Sequence, residues 1–367
     1  MVRLTNFIFF ASVVSGALSS TVYARTVHSV PIYKKVSGNA TSSKALMARD
    51  LARFNVDVAA AVGEAPETND DNKYVAAIQV GTQTFELIVD TGSSNTWVGA
   101  GTKYTPGSTA TFTLELFKVT YGSGSVFGLE YTDNVQIGGL SITKQGIGSA
   151  ITSPGITGVD GIIGFGPVDL TAGTVTGLTT VPTVMDNLLS QGTISTEVLG
   201  VSFAPENGGD TNDANGELTL GGTDPTKYSG TITYVSKTTA SPYNKYWGIA
   251  VSNITYNGTS ISTSANAVVD TGTTLIYLPT AAYNSFLTAS GGTTDSTTGL
   301  SSWTTLPTAD LALSIGGVSF SLTPSQFTVP AAHSSTAVDF IIGQKFLENY
   351  YSVFDTTNSR VGFAPRA

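Results

Sequence analysis

Two aspartates stand where an ordinary fold would avoid them. Asp90 closes the apolar run of "LIVDTGSSNTWVG", Leu87 to Gly99, and Asp270 closes that of "NAVVDTGTTLIYLP", Asn266 to Pro279. A carboxylate at the end of a buried strand is costly unless another group shares or satisfies its charge. Two of them within hydrogen-bond reach answer each other's need. Like charges a few ångströms apart resist ionising together, so such a pair holds one proton over an acidic window and titrates as a unit. The ionised member can take a proton from a water, and the protonated member can donate one to a carbonyl. Amide hydrolysis needs both.

The flanking residues fit that chemistry. Gly92 and Gly272 let backbone approach the carboxylates and offer N–H donors. Ser93 and Thr273 can hydrogen-bond the carboxylates and bias which one is charged. The surroundings of the two aspartates also repeat. "DGIIGFG" begins at Asp160, 70 residues after Asp90, and "DFIIGQK" begins at Asp339, 69 residues after Asp270. A strand ending in Asp-Thr-Gly, followed at nearly the same distance by an Ile-Ile-Gly strand, marks an internal duplication. Each half presents one carboxylate, and a pseudo-twofold pairing would bring Asp90 and Asp270 together.

Other chemistries lack their parts. The 367 residues contain no cysteine and two histidines, His28 and His333. That excludes disulfides and a thiolate zinc site. His333 lies in the polar stretch "PAAHSS", with no nucleophile-elbow motif for a Ser-His-Asp triad. "GSGSVFG" has no Lys-Ser/Thr and no long following helix to make it a phosphate loop. Neither a metal nor a cofactor is expected. The net charge of −9 argues against a nucleic-acid partner.

The elements that must position these residues are mostly strands. Only 12 % of residues are charged, too few for long amphipathic helices to dominate. From Tyr74 onward, β-branched and aromatic runs such as "YVAAIQVG", "TLELFKVTYG" and "VFGLEYTDNVQIGG" are cut by Gly and Ser. "TVMDNLLSQG" and "TAAYNSFLTAS" read as short helices. "TYGSGS", Thr120 to Ser125, has the glycines of a hairpin turn.

The N-terminus is organised differently. Arg3, the apolar stretch Phe7 to Leu18 and the small-residue site at Val22-Tyr23-Ala24 read as a signal peptide over residues 1–24, implying secretion. Its apolar run is too short for a membrane span. Residues 25–59 carry six Lys and Arg against two Asp, a net +4, and residues 60–367 carry ten against twenty-four acidic residues, a net −14. A basic leader on an acidic body should dock onto it. "SSKALMARDLARF" has helical spacing after a Ser cap. Asn39, Asn253 and Asn257 are N-glycosylation sequons.

Together, "VDTGSSNTWVG", "VTYGSGSVFG", "VDGIIGFG", "GELTLGGTDPTKYSGTITY", "YWGIAV", "VVDTGTTLIYLP" and "FIIGQKFLENYYSVFDTTNSRVGFAP" resemble the pepsin family of aspartic proteases across residues 60–367. Within it the pattern is most similar to the fungal, polyporopepsin-like enzymes, which also lack cysteine. The resemblance implies a bilobal, mostly β fold, with lobes at about 60–235 and 236–367 and the cleft between them. It implies a secreted acid endopeptidase acting as a monomer on proteins and peptides, with residues 25–59 as its own inhibitory prosegment. "VPIYKK" resembles the start of such prosegments, and Lys34, Lys35, Arg49 and Arg53 are the candidates to pair with the cleft. Asp90 and Asp270 would be catalytic. Thr91 and Thr271 resemble the inner threonines that lock the two loops together. Tyr121, Gly122 and Ser123 would form a flap over the substrate, and Trp97 resembles the tryptophan that hydrogen-bonds the flap tyrosine.

Ile88 and Ile162 are expected as apolar pocket walls, favouring large apolar residues around the scissile bond. Members that accept lysine there often carry an acidic residue where this chain has Ser123, so lysine should be disfavoured. Two departures stand out: a short stretch between Asp90 and Tyr121, and the missing disulfides. The competing function is a catalytically inactive protein that keeps the cleft for recognition. Such relatives usually lose one Asp or the flap Tyr, and all three are present.

Overall fold

A computed structural model describes residues 27–36, 72–121, 124–205, 216–295, 300–327, 332–334, 338 and 340–367. The signal peptide, the segment "ALMARDLARF" with Arg49 and Arg53, Asn39 and the flap-tip residues Gly122 and Ser123 lie outside the described residues.

Strands dominate, and most of them join one 13-stranded sheet. Its first-half members are β1 (His28–Val36), β2 (Asn72–Val80), β3 (Gln83–Asp90), β4 (Thr96–Val98), β5 (Thr111–Tyr121), β6 (Gly124–Ile137), β7 (Leu140–Thr152), β8 (Gly161–Gly164), β9 (Val198–Ser202) and β10 (Gly216–Leu220). Three later strands, Thr233–Ser236, Tyr350–Asp355 and Arg360–Pro365, complete it, with Tyr350–Asp355 antiparallel to β9. The sheet therefore draws strands from both sides of residue 235 and ties the two halves together. The short helices fall at Val184–Ser190, capped by the Thr183–Asp186 capping box, and at Thr280–Ser290, ended by Gly291 at φ 71°.

The duplication is explicit in the strand pairing. β3 runs parallel to β8, with Leu87 opposite Gly161 and Asp90 opposite Gly164, and β4 returns antiparallel on β8's other side. In the second half, Ala265–Val269 runs parallel to Ile341–Ile342, and Ile276–Pro279 returns antiparallel on its other side. In each half the Ile-Ile-Gly strand is threaded between the strand that ends in Asp-Thr-Gly and the strand that follows the turn. Being covered on both faces, these strands are continuous apolar runs without alternation; Leu87, Ile88 and Val89 are all buried. The main core spans both halves, and Trp247 Nε1–H reaches across to donate to the Phe165 carbonyl at 2.9 Å.

The leader contributes a structural strand. β1 lies between β10 and β2, antiparallel to both. Lys34 forms a buried ion pair with Glu348 at 2.9 Å, which Lys345 shares at 3.2 Å and Tyr74 hydrogen-bonds at 3.1 Å. Lys35 pairs with Glu86. The expectation that Lys34 and Lys35 pair with the cleft is therefore corrected: their partners are Glu348, at the end of the short helix Gln344–Leu347, and Glu86 on β3. An extended strand points successive side chains to opposite faces, so neighbouring lysines part company.

Candidate active site

The two Asp-Thr-Gly turns meet head to head in the core. Each threonine uses its short branched side chain to reach across. Thr91 N–H donates to Thr271 Oγ1 at 2.9 Å, and Thr271 N–H donates to Thr91 Oγ1 at 3.0 Å. Each hydroxyl then donates to the opposite strand: Thr91 to the Val269 carbonyl at 3.2 Å, and Thr271 to the Val89 carbonyl at 2.9 Å. Both threonines are fully buried, so these four bonds satisfy groups that would otherwise be costly to bury.

This grip sets the carboxylates side by side. Asp90 and Asp270 are each fully buried. Asp90 accepts from Gly92 N–H at 2.9 Å and from the Ser93 hydroxyl at 2.6 Å. Asp270 accepts from Gly272 N–H at 2.8 Å and from the Thr273 hydroxyl at 2.6 Å. One close approach shows how near the two groups come. A Cβ at residue 92 would lie 2.6 Å from Cγ and both carboxyl oxygens of Asp270, so only glycine fits there. The glycine whose N–H holds one aspartate is in contact with the other.

Tyr121 ends β5 almost completely buried, and Trp97 Nε1–H donates to its hydroxyl at 2.8 Å. Ile88 and Ile162 are directly opposite each other on parallel strands and pack with Tyr121, Trp97 and Phe117. Both are buried in the cluster that holds the tyrosine and do not line the cavity that opens beside Gly92, Ser93 and Tyr121. Asn257 sits exposed in a hairpin turn at φ 51°, while Asn253 lies within a strand, its side-chain oxygen accepting from Ser260 at 2.6 Å. No cluster of three or more His, Asp or Glu able to hold a metal occurs among the described residues, nor any helix long and apolar enough to cross a membrane.

Two neighbours of the site carry no signal of their own in the sequence. Tyr246 is buried, and its hydroxyl is pushed up to about 12, first by burial and then by the negative charge of Asp270. It lies within "YWGIAV", but nothing local separates it from the chain's other tyrosines. Gln344, which follows the second Ile-Ile-Gly, donates to the Thr271 carbonyl at 2.9 Å and so buttresses the second turn.

The family model described as eukaryotic aspartyl protease matches residues 73–366. Polyporopepsin of Irpex lacteus is 45 % identical over 332 residues, which cover 83 % of this chain and 97 % of that protein. Pepsin A of Sus scrofa is 31 % identical over 397 aligned positions, covering 95 % of this chain and 98 % of the relative. The crystal structure of an aspartic proteinase from Irpex lacteus superimposes with a TM-score of 0.76 at 40 % identity, over 93 % of this chain and 98 % of that one.

Proposed function

The chain belongs to the eukaryotic aspartyl protease family and is an aspartic-type endopeptidase, and on that premise we propose that Asp90 and Asp270 are its proton-sharing catalytic pair, in an enzyme secreted as a zymogen. The observation that carries this is the contact at Gly92, which brings both carboxylates to one point. The ionised member activates a water held between the two, and the protonated member donates to the substrate carbonyl. Ser93 and Thr273 hold one oxygen of their aspartate and Gly92 and Gly272 N–H the other, which fixes both carboxyl planes toward the bound water and substrate. Tyr121, fixed by Trp97, holds the flap hairpin over the bound peptide. Large apolar side chains are favoured around the scissile bond, where Val119, Tyr121 and Leu170 line the cavity. An ammonium there would be desolvated with no acidic residue at position 123 to pair it.

The mature enzyme acts as a monomer, and residues 25 to about 59 are its inhibitory leader. β1 holds the start of that leader in the sheet by backbone pairing and two ion pairs. Burial alone would push Glu348 up, but Lys345 and Lys34 outweigh it and hold the carboxyl below its usual range; Lys35 and Tyr33 likewise outweigh burial at Glu86. Both anchors therefore survive mild acidification. Release by acid begins with carboxylates elsewhere, and β1 is the last part of the leader to leave.

The test is to purify the secreted chain and hold it first at neutral and then at acidic pH, following mass and peptide turnover with and without a statine-type inhibitor. The expected course is silence at neutral pH, then shortening of the chain with inhibitor-sensitive turnover. Full activity of the unshortened chain would remove the leader's role. No turnover after shortening would favour a recognition protein.

A further inference from the structure

The cavity beside the dyad is charged in a way that an apolar specificity does not explain. It has a volume of about 310 Å³ and reaches from Gly92 and Ser93, next to Asp90, to Tyr121 and Tyr246. Around its mouth stand Lys118, Lys245 and Asp169. Lys118 is three residues before Tyr121 on the flap strand, where its backbone N–H donates to the carbonyl of Thr174, another lining residue, at 2.8 Å. Lys245 ends a short turn immediately before Tyr246, the tyrosine that feels the charge of Asp270. The two lysines thus come from different elements and flank the same volume.

Their charge is not consumed locally. Among the described residues neither Lys118 nor Lys245 forms an ion pair. Asp169 is the acidic group at the mouth, and it also attracts Lys237, supporting that ammonium against the burial that lowers it. Two cations therefore line the cavity against Asp169, whose field is shared, and the aspartate pair at its inner end.

We propose, building on the protease reading above, that this cavity selects an acidic side chain, aspartate or glutamate, at a substrate position within about two residues of the scissile bond. Lys118 and Lys245 are the specificity-determining residues. The apolar preference belongs to Val119, Tyr121 and Leu170 on the cavity wall; the acidic preference belongs to the two lysines. Both lysines are exposed, so each pairing is of the modest size typical of surface ion pairs, and together they correspond to roughly fivefold in kcat/KM. The effect has a signature. It requires the substrate carboxyl to be ionised, so it is present above about pH 4.3 and fades below it. It is also screened by salt.

The experiment uses the secreted chain after acid activation and a peptide series with one apolar scissile pair. Gln, Glu or Lys is placed singly at each of the three positions on either side of the bond, and kcat/KM is measured at pH 5 and pH 3, in low and high salt. The expected result is one position at which Glu exceeds Gln about fivefold and Lys falls below Gln, at pH 5 and low salt only. In the variant Lys118→Gln/Lys245→Gln, with folding checked by thermal unfolding, the Glu-to-Gln ratio at that position should collapse to about one. Equal turnover of Glu and Gln peptides at every position, or an unchanged ratio in the double variant, would overturn the proposal and leave the protease reading intact. Failure to cut any Gln peptide would overturn the protease reading itself.

Discussion

The two halves of the molecule present their aspartates almost identically and surround them differently. Each carboxylate takes one backbone N–H from the glycine two residues on and one hydroxyl from the residue after that. The threonines between repeat the same pair of bonds in mirror order. Beyond that shell the symmetry ends. Thr273 is fully buried, whereas Ser93 is half-buried and reaches the cavity. The β5–β6 hairpin, with Tyr121 held by Trp97, belongs to the first half. The second half instead sets Tyr246 near Asp270 and props its turn with Gln344. Symmetry suits the proton-sharing pair, which needs two equivalent carboxylates close together. Asymmetry suits the substrate, which is a directional chain and must be covered from one side.

The most severe way to break the comparison is at its symmetric centre. Asp90→Asn and Asp270→Asn should each lower kcat by about 10³-fold, because either change removes the shared proton equilibrium. Asn keeps the shape; its one oxygen keeps the Gly N–H bond and its NH2 donates to the Ser93 or Thr273 hydroxyl, which turns to accept, so thermal unfolding should move little. Equal losses are the expected outcome. A folded variant of either kind with substantial turnover would mean that only one half carries the chemistry.

The next test addresses the asymmetric shell. Tyr121→Ala should lower kcat/KM by about 10²-fold without abolishing it, since the flap orients substrate and moves no proton. Trp97→Phe removes the 2.8 Å bond to the Tyr121 hydroxyl and should cost about fivefold, the worth of one buried hydrogen bond. Steady-state kinetics on one apolar peptide separate the two. If Tyr121→Ala matches the parent protein, the hairpin is not a lid.

Much of this was legible from residue types because the informative features are local or repeated. Asp90 and Asp270 announce themselves as carboxylates ending apolar runs, and the spacing to the Ile-Ile-Gly strands anticipates the threaded pairing of β3, β8 and β4. The helices at Val184–Ser190 and Thr280–Ser290 fall where the periodicity puts them. What stayed hidden depends on distant pairing. Nothing near His28–Val36 reveals that this strand lies against β10, with Pro31 opposite Glu217. Nothing near Lys118 or Lys245 reveals that they share a cavity. Ile88 and Ile162 look like pocket walls by type, but parallel pairing sets them opposite each other in the buried cluster with Tyr121, and apolar type alone cannot tell a wall from core.

The smallest expected effect concerns stability, and again it divides the halves. Glu130 lies on β6 only 3 % exposed, and burial pushes its carboxyl up to about 8. Glu197, at the end of the first half, is pushed up to about 7 by burial and then by Asp186 beside it. A glutamate in the unfolded chain titrates near 4.3, so the folded protein holds these protons more tightly. Below about pH 4 both states are protonated and the stabilisation is complete. As pH rises from there through 7 and 8, the unfolded chain has already lost its protons, and stability falls. The first half is therefore the part expected to loosen as the solution is neutralised. Glu130→Gln keeps a neutral side chain of the same size at every pH. Its unfolding temperature should decline less between pH 5 and pH 8 than that of the parent, and amides of β6 and β7 should keep more of their hydrogen-exchange protection at pH 7. Asp90, Asp270 and Glu197 are the same in both proteins, so the difference between the two curves isolates Glu130. Curves that fall in parallel would show that this carboxyl titrates alike in the folded and unfolded chains, and that the loosening of the first half has another source.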